Sequence, residues 1–141
     1  MTKIKIKKLN KDAILPSYAH SGDAGLDLYS TEEVIIKPHE RKQIKTGLAF
    51  VVPEGYVGLI WDKSGLSHKH GLKTLGGVLD SGYRGELLVG IVNLNEEDYI
   101  LEKGNKIAQL IIQTVESVTI EEVYELDNTA RGEGGFGSTG K

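Results

Sequence analysis

Short apolar segments that alternate with turn residues are the feature that most constrains the fold of this chain. The segments are short and strand-like, and turn residues, glycine and proline above all, punctuate them. The spacing of roughly 8–12 residues is typical of a β-sandwich or barrel and differs from the strand–helix alternation of a parallel sheet. The segments are residues 4–9, 33–38, 41–53, 56–61, 85–95, 99–115 and 117–126. The sequence therefore predicts an all-β fold with closed or jelly-roll-like sheets.

Helical periodicity is scarce. The stretch "SGLSHKHG" at 64–71 predicts one or two helical turns, with Ser64 as the N-cap. Trp61 and Phe50 lie in apolar segments, so we expect both in the core.

Composition excludes several classes of function. The chain has 141 residues, a net charge of −3 and no cysteine. The length suits one domain, and the lack of cysteine excludes disulfides, a thiol nucleophile and Cys-based zinc sites.

No apolar run approaches the ~20 residues of a spanning helix, so we expect no membrane partner. We also expect a cytoplasmic location, or the host cytoplasm for a virus-encoded chain. The net negative charge argues against nucleic acid as a partner, and the lysines of residues 3–11 suit the wet face of a strand.

The composition changes sharply after Leu126. Residues 127–141 are rich in glycine and nearly free of aliphatic side chains, so they cannot offset their ordering entropy by burial. We expect a domain over 1–126 and a flexible C-terminal arm over 127–141. The arm has a G-x-x-x-x-G-S-T pattern close to a P-loop, but Ser138 stands where the lysine belongs and no helix-forming stretch follows.

Polar or glycine-rich segments interrupt the strands at five places, each with an ordinary structural explanation as well as a functional one. Asp27 reads as an outward strand residue, and Asp80 as a turn aspartate that bonds its own backbone. The functional alternative for Asp80 is a carboxylate in a cleft beside Tyr83, where it could orient a water as a general base. His68 and His70 lack a third ligand nearby and suit solvated or packing roles. The segments are 24–30, 62–67, 77–86, 104–111 and 131–139.

Taken together and in order, these five segments resemble the five motifs of the homotrimeric dUTPase family. The strongest pieces are "GVLDSGYRGE" and "RGEGGFGST", followed by "DAGLDL" and "KIAQLI". The resemblance implies a distorted jelly-roll (β-clip) subunit with at most one short helix and a mobile arm. It also implies a homotrimer with active sites shared between subunits, and hydrolysis of dUTP to dUMP and pyrophosphate with Mg²⁺ as the cofactor.

The resemblance assigns three residues to the chemistry. Asp80 matches the aspartate that orients and deprotonates the water attacking the α-phosphate. Tyr83 matches the tyrosine that packs under the deoxyribose and excludes a 2′-hydroxyl. Asp27 matches the carboxylate that holds Mg²⁺ through its waters.

The resemblance also implies further substrate contacts. The second motif supplies phosphate contacts from Lys63, Ser64 and Gly65. The third supplies a hairpin that reads uracil, with Gly77, Val78 and Leu88, and the fourth supplies Gln109 near the phosphates. The arm supplies a lid that consists of the phosphate-binding Arg131 with Phe136, Gly137, Ser138 and Thr139.

One segment departs from the family. Where the second motif usually reads Pro-Arg-Ser-Gly, this chain has Asp62-Lys63-Ser64-Gly65. Lys63 keeps the charge but loses the planar fork of arginine, and Asp62 adds a negative charge near a triphosphate. We expect a modest cost in turnover or affinity, unless Asp62 points away from the ligand.

Two other functions stay open at this point. A dCTP deaminase of the same fold is expected to use a glutamate near the third motif, whereas "DSGYRGE" has the dUTPase spelling. A dUTPase-like protein that acts by binding a regulatory partner is the non-enzymatic alternative.

Overall fold

The computed structural model describes residues 2–140, which form an all-β body with one short helix. Ten strands and the helix follow one another along the chain. They are β1 (Lys5–Lys8), β2 (Leu26–Tyr29), β3 (Val34–Ile36), β4 (Arg41–Val51), β5 (Tyr56–Trp61), α1 (Ser64–His70), β6 (Leu72–Leu75), β7 (Val78–Leu79), β8 (Glu86–Asn93), β9 (Tyr99–Leu101) and β10 (Lys106–Thr114). The predicted all-β fold with at most one short helix is confirmed over these residues.

The strands form two four-stranded sheets and a two-stranded ribbon, all antiparallel. The sheet orders are β1-β4-β8-β6 and β2-β10-β5-β7, and β3 pairs with β9 in the ribbon. Neighbours in the sheets come from distant parts of the chain, which is the connectivity of a jelly roll. The sheets therefore bring residues from separate motifs side by side.

The core lies between the sheets and follows from the period-two pattern of the strands. In β8, Leu87, Val89 and Ile91 are buried, while Leu88 between them points outward. Each fully buried large apolar side chain contributes about 1.5–3 kcal/mol to stability. The largest side chains with essentially no exposure are Phe50, Leu28, Ile36, Ile44, Leu48, Ile91, Leu101, Ile107 and Leu110. Phe50 thus confirms its predicted core position.

A bulge in β4 anchors the start of β8. The register of the β4–β8 pair shifts between Lys45 and Ala49. Within the bulge, the Thr46 hydroxyl donates to the Leu87 carbonyl at 2.7 Å, and the Gly47 amide donates to the Glu86 carboxylate at 2.9 Å. The bulge therefore holds the turn that precedes β8, where Tyr83 lies.

Two local predictions were wrong. Ser64 is the first residue of α1 and not its cap: Lys63 occupies the N-cap position, with extended backbone and no side-chain capping bond, because an ammonium group has no acceptor for a backbone N–H. Trp61 is 53% exposed and outside the core, because the outward face of β5 at this position is left uncovered in the single chain.

The strand predicted over 117–126 is absent. The last strand ends at Thr114, and no later residue up to 140 belongs to a strand. Ile120 is 92% exposed, and the Val118 and Leu126 side chains are exposed to a similar extent. The reason is that the segment pairs with no strand edge of its own chain within residues 2–140. The packed body therefore ends at Thr114, and the division at residue 126 stays a prediction.

Within residues 2–140, no helix is long and apolar enough to cross a membrane, since α1 has only seven residues.

Candidate active site

Strand register brings the first, second and fourth motifs together at one end of the second sheet. Gln109 on β10 lies opposite Asp27 of β2 on one side and opposite Trp61 of β5 on the other. Lys63 is the second residue after β5, and Lys106 begins β10. We call Asp27, Lys63, Lys106 and Gln109 the Asp27 cluster.

Asp27 is a buried carboxylate held between two ammonium groups. Its side chain is 4% exposed. Lys63 Nζ lies 2.5 Å from Oδ1, and Lys106 Nζ lies 2.8 Å from Oδ2. Each oxygen of the carboxylate is therefore contacted by one ammonium group.

The two lysines keep Asp27 ionised. Burial alone would raise the pKa of Asp27, but the contacts with Lys106 and Lys63 outweigh burial and lower it below its ordinary value. The contact with Asp27 in turn raises the pKa of Lys106. The cluster therefore carries a carboxylate and two cations at neutral pH.

Gln109 is fixed by its neighbours. Its amide nitrogen donates to the backbone carbonyl of Asp62 at 2.9 Å. A Cβ at position 25 would lie 2.1 Å from the Gln109 Oε1, so only glycine fits there. Gly25 therefore belongs to the site through the space it leaves.

The Asp62 carboxylate is bonded to β6. It accepts hydrogen bonds from the Lys73 ammonium and the Thr74 amide, both at 2.7 Å. Burial alone would raise its pKa, but the bonds from Lys73 and Thr74 outweigh burial and lower it. The added negative charge of the second motif is thus paired with Lys73, and its hydrogen bonds hold the chain where the family has a proline.

The third motif lines a cavity of about 270 Å³. Five residues expected from the resemblance lie in its wall, along with others that the sequence did not single out. The expected ones are Gly77, Val78, Asp80, Tyr83 and Leu88; the others are Gln43, Ile60, Leu79, Glu86 and Leu87. We call this the Asp80 cavity. Gln43 was missed because it reaches the wall through the β4–β8 pairing, which no local pattern reveals, whereas Glu86 lies inside the third motif but was given no role.

Glycines shape the entrance to β7. The chain leaves the first sheet after β6 and enters the second at β7 through Gly76 and Gly77, whose φ angles are 70° and 118°. The Gly77 carbonyl accepts a hydrogen bond from the Ile60 amide at 2.8 Å, and a Cβ at 77 would lie 2.9 Å from the Ile60 carbonyl oxygen. Close backbone approach therefore requires glycine at this position.

Tyr83 is held over the turn while Asp80 is left free. The Tyr83 hydroxyl donates to the Glu86 carbonyl at 3.0 Å, and a Cβ at position 85 would lie 2.3 Å from that hydroxyl. The turn is closed by the backbone, with the Tyr83 amide donating to the Asp80 carbonyl at 3.1 Å. Within residues 2–140 the exposed Asp80 carboxylate accepts no hydrogen bond, which removes the alternative of a turn aspartate bonded to its own backbone.

The arm residues are not brought to either group. Between residues 127 and 140 the hydrogen bonds stay local, such as Arg131 Nε to the Gly134 carbonyl at 2.8 Å. Phe136 is fully exposed and has a φ of 48°. Gly137, Ser138 and Thr139 are exposed as well.

The donor set suits a cation held through water. Residues 2–140 contain no group of three or more His, Asp and Glu side chains that could bind a metal directly. Asp27 offers one buried, ionised carboxylate whose two oxygens each contact a lysine side chain. Mg²⁺ keeps several waters and binds mainly through substrate phosphates, so a single carboxylate fits it.

His70 packs its ring against Tyr99, with the ring centres 5.2 Å apart.

Comparison with known proteins assigns the chain to a family. A family model described as dUTPase matches residues 11–140. The deoxyuridine 5′-triphosphate nucleotidohydrolase of Clostridium kluyveri is 54% identical over 137 residues, which covers 96% of each chain. This chain therefore belongs to the dUTPase family.

Solved structures that resemble this chain come from the same family. A mutant dUTPase of Staphylococcus bacteriophage 80alpha with dUpNHpp has a TM-score of 0.90 and 34% identity, and the match covers 100% of both chains. A mutant dUTPase of phage phi11 of S. aureus, studied for its structural Mg(II) ion, has a TM-score of 0.84 and 30% identity, with 90% of this chain and 100% of that chain covered.

Proposed function

We propose that this protein hydrolyses dUTP to dUMP and pyrophosphate by attack of water on the α-phosphate. The observation that carries the proposal is the Asp80 cavity, where an unbonded carboxylate lies beside a fixed tyrosine ring. The names of the relatives and the nucleotide analogue in the 80alpha phage enzyme support dUTP as the substrate.

The size of the cavity suits part of the substrate. Pockets that enclose a drug-sized ligand measure roughly 300–1,000 Å³. A cavity of about 270 Å³ has room for the base and sugar, so the triphosphate extends beyond it. The Tyr83 ring, fixed through Glu86 and Gly85, forms the side of the cavity against which the deoxyribose would pack.

Asp80 acts as the general base. Because its oxygens accept no bond from residues 2–140, they are available to a water and to the proton that the water releases on attack. When bound, Mg²⁺ neutralises charge on the phosphate oxygens. Asp27 holds the waters of that cation, and Lys63 and the arm residue Arg131 supply positive charge to the phosphates.

We further propose a homotrimer with shared active sites. The Asp27 cluster, the Asp80 cavity and the arm have no hydrogen bond to one another within residues 2–140. The exposed apolar residues of 117–126 need a cover that their own chain does not provide, and a neighbouring subunit would provide it. In this arrangement residues 127–141 form a flexible arm that closes over a neighbour's site. The domain over 1–126 then includes residues 117–126, which a neighbouring subunit covers.

The substrate test is pyrophosphate release from dUTP, dTTP and UTP in the presence of Mg²⁺. The proposal predicts selective release from dUTP. Equal release from all three, no release, or ammonia from dCTP would each contradict it. Sedimentation measures the assembly, where we expect a species of three chains of 15.4 kDa.

We also propose that the enzyme acts in the cytoplasm, or in the host cytoplasm if it is encoded by a virus. The absence of cysteine among the 141 residues agrees with a reducing compartment. Fractionation of expressing cells tests the location.

A further inference from the structure

Asp27 has one more cation than its charge requires. Lys63 contacts Oδ1 and Lys106 contacts Oδ2, so a single negative charge is balanced twice. A buried carboxylate needs at least one partner, because an unpaired charge away from water is costly. One lysine is enough for that purpose, and the second is available for another.

The two lysines differ in how the chain holds them. Lys106 is part of β10 and pairs with Tyr29 of β2, so its backbone is fixed in the sheet. Lys63 lies outside the sheet, at the junction of β5 and α1, and makes no other side-chain bond within residues 2–140. Both ammonium groups can move by rotation of their side chains, but only the Lys63 backbone lies next to the second-motif residues Ser64 and Gly65.

The space beside Lys63 is open. A Cβ added at Gly65, two residues further on, would meet no atom within 4 Å. The Lys63 and Lys106 side chains are 29% and 44% exposed, against 4% for Asp27, so the two ammonium groups together cover the carboxylate on its solvent side. A ligand that enters here meets Lys63 before it reaches Asp27.

We propose that Lys63 is the resting counter-ion of Asp27 and is exchanged when the cation and nucleotide bind. The ammonium group moves from Oδ1 to a phosphate oxygen, and a water of the hydrated cation takes its place on Oδ1. Lys106 stays on Oδ2 throughout. The inference rests on the proposed function, because it assumes that a triphosphate with its cation is the ligand.

The exchange has a consequence for the empty protein. A bare divalent cation has no phosphate to offer Lys63, so it must compete with an ammonium group that already occupies Oδ1. Binding of the cation alone is therefore weak in the native chain. Removal of the Lys63 charge opens Oδ1 and should create a cation site that depends on Asp27.

Titration with Mn²⁺ alone, followed by the electron paramagnetic resonance signal of free Mn²⁺, tests the exchange. Lys63→Met should bind Mn²⁺ at least about tenfold more tightly than the native protein, because one positive charge beside the site is removed. The double variant Lys63→Met with Asp27→Asn should lose this gain. Lys63→Arg, which keeps the charge, should bind as weakly as the native protein.

Lys69→Met is the matched control. It removes one lysine charge from an exposed position of α1, the helix that Lys63 precedes, and Lys69 makes no ion pair with Asp27. Its Mn²⁺ affinity should stay within about twofold of the native value, since exposed charges are largely screened at physiological salt. An equal gain in Lys69→Met would overturn the proposal in favour of a general charge effect, as would no gain in Lys63→Met with an unchanged melting temperature.

If Lys63→Met does not fold, Lys63→Gln replaces it in the same titration, with the same expected gain. The titration contains no nucleotide, so its outcome is independent of catalysis. Failure of the proposed function appears separately, as a native protein that releases no pyrophosphate from dUTP.

Discussion

Asp27 and Asp80 are carboxylates of the same candidate site, but their environments are opposite. Asp27 is buried and lies between two lysines, and its pKa is lowered by them. Asp80 is exposed at a cavity wall and accepts no hydrogen bond from residues 2–140. This contrast agrees with the proposed roles, in which Asp27 keeps its charge to hold a hydrated cation and Asp80 accepts a proton.

The largest effect is expected from Asp80→Asn. The amide cannot take a proton from water, so turnover should fall by about 10²–10⁴-fold or more, with the affinity for dUpNHpp within a few-fold of native. Steady-state kinetics with dUTP and calorimetry with the analogue measure the two quantities. Asp98→Asn, in an exposed loop, is the control and should leave both unchanged. Retained turnover in Asp80→Asn would remove it as the base and erase its contrast with Asp27.

Deletion of residues 131–141 comes next. The arm forms no hydrogen bond to the body within residues 2–140, so the truncated chain should keep its fold, its melting temperature and its assembly. Activity should fall about 100-fold, because Arg131 and the hydroxyl donors of the arm are lost from the phosphates. A drop in melting temperature would show that the arm is structural. Unchanged activity would show that the two carboxylate groups suffice without it.

Asp27→Asn should act on stability and on its pH dependence. At pH 7 we expect a loss of about 1–3 kcal/mol, since two lysines lose a buried partner but remain partly solvated. The pKa of Asp27 in the folded state is lowered from 3.8, so its stabilising contribution is full above that value and is lost as the pH falls through the lowered folded pKa.

The stability gap between the native protein and Asp27→Asn should therefore be constant from pH 7 to about pH 5 and close below pH 4. Urea unfolding at several pH values measures it. Asp80→Asn provides the comparison, because an exposed carboxylate without partners should change stability by less than about 0.5 kcal/mol. A gap that widens on acidification would contradict the ion-pair explanation.

Among the changes at the Asp80 cavity, Gly77→Ala should have the smallest effect on activity. A side chain at a φ of 118°, with its Cβ 2.9 Å from the Ile60 carbonyl oxygen, should cost about 1–3 kcal/mol and raise KM by distorting the cavity wall. Gly82→Ala is the matched control, since a Cβ there meets no atom within 4 Å. Equal stability of the two variants would show that the wall tolerates a side chain at position 77.

Much of the fold could be predicted from local patterns because strands and turns carry local signals. The strands predicted over 4–9, 56–61 and 85–95 and the short helix at 64–71 agree with β1, β5, β8 and α1 of the structure. The strand expected over 117–126 failed for a non-local reason, since an alternating segment becomes a strand only beside a free edge. The predicted burial of Trp61 was wrong for a similar reason, because the burial of a strand residue depends on which surface covers that face of the strand.

The candidate site shows the same division. Asp27, Asp80 and Tyr83 could be identified from the order of the motifs, but Lys106 was missed because its role depends on the side chain opposite it. The direction of the Asp62 carboxylate was open in the sequence, and it is decided by Lys73 and Thr74 of β6. Contacts between strands that are distant in sequence have no local signature.

Local sequence thus determined the strand-rich class, the turn positions and the residue types available for chemistry, because backbone propensity and period-two burial act over a few residues. Tertiary structure decided the state of each carboxylate. The pairing of β10 with β2 and β5 assembled two lysines and a glutamine around Asp27. The glycine crossing between the sheets opened the cavity at Asp80. Charge pairing and exposure depend on distances in space, which the order of residues alone does not specify.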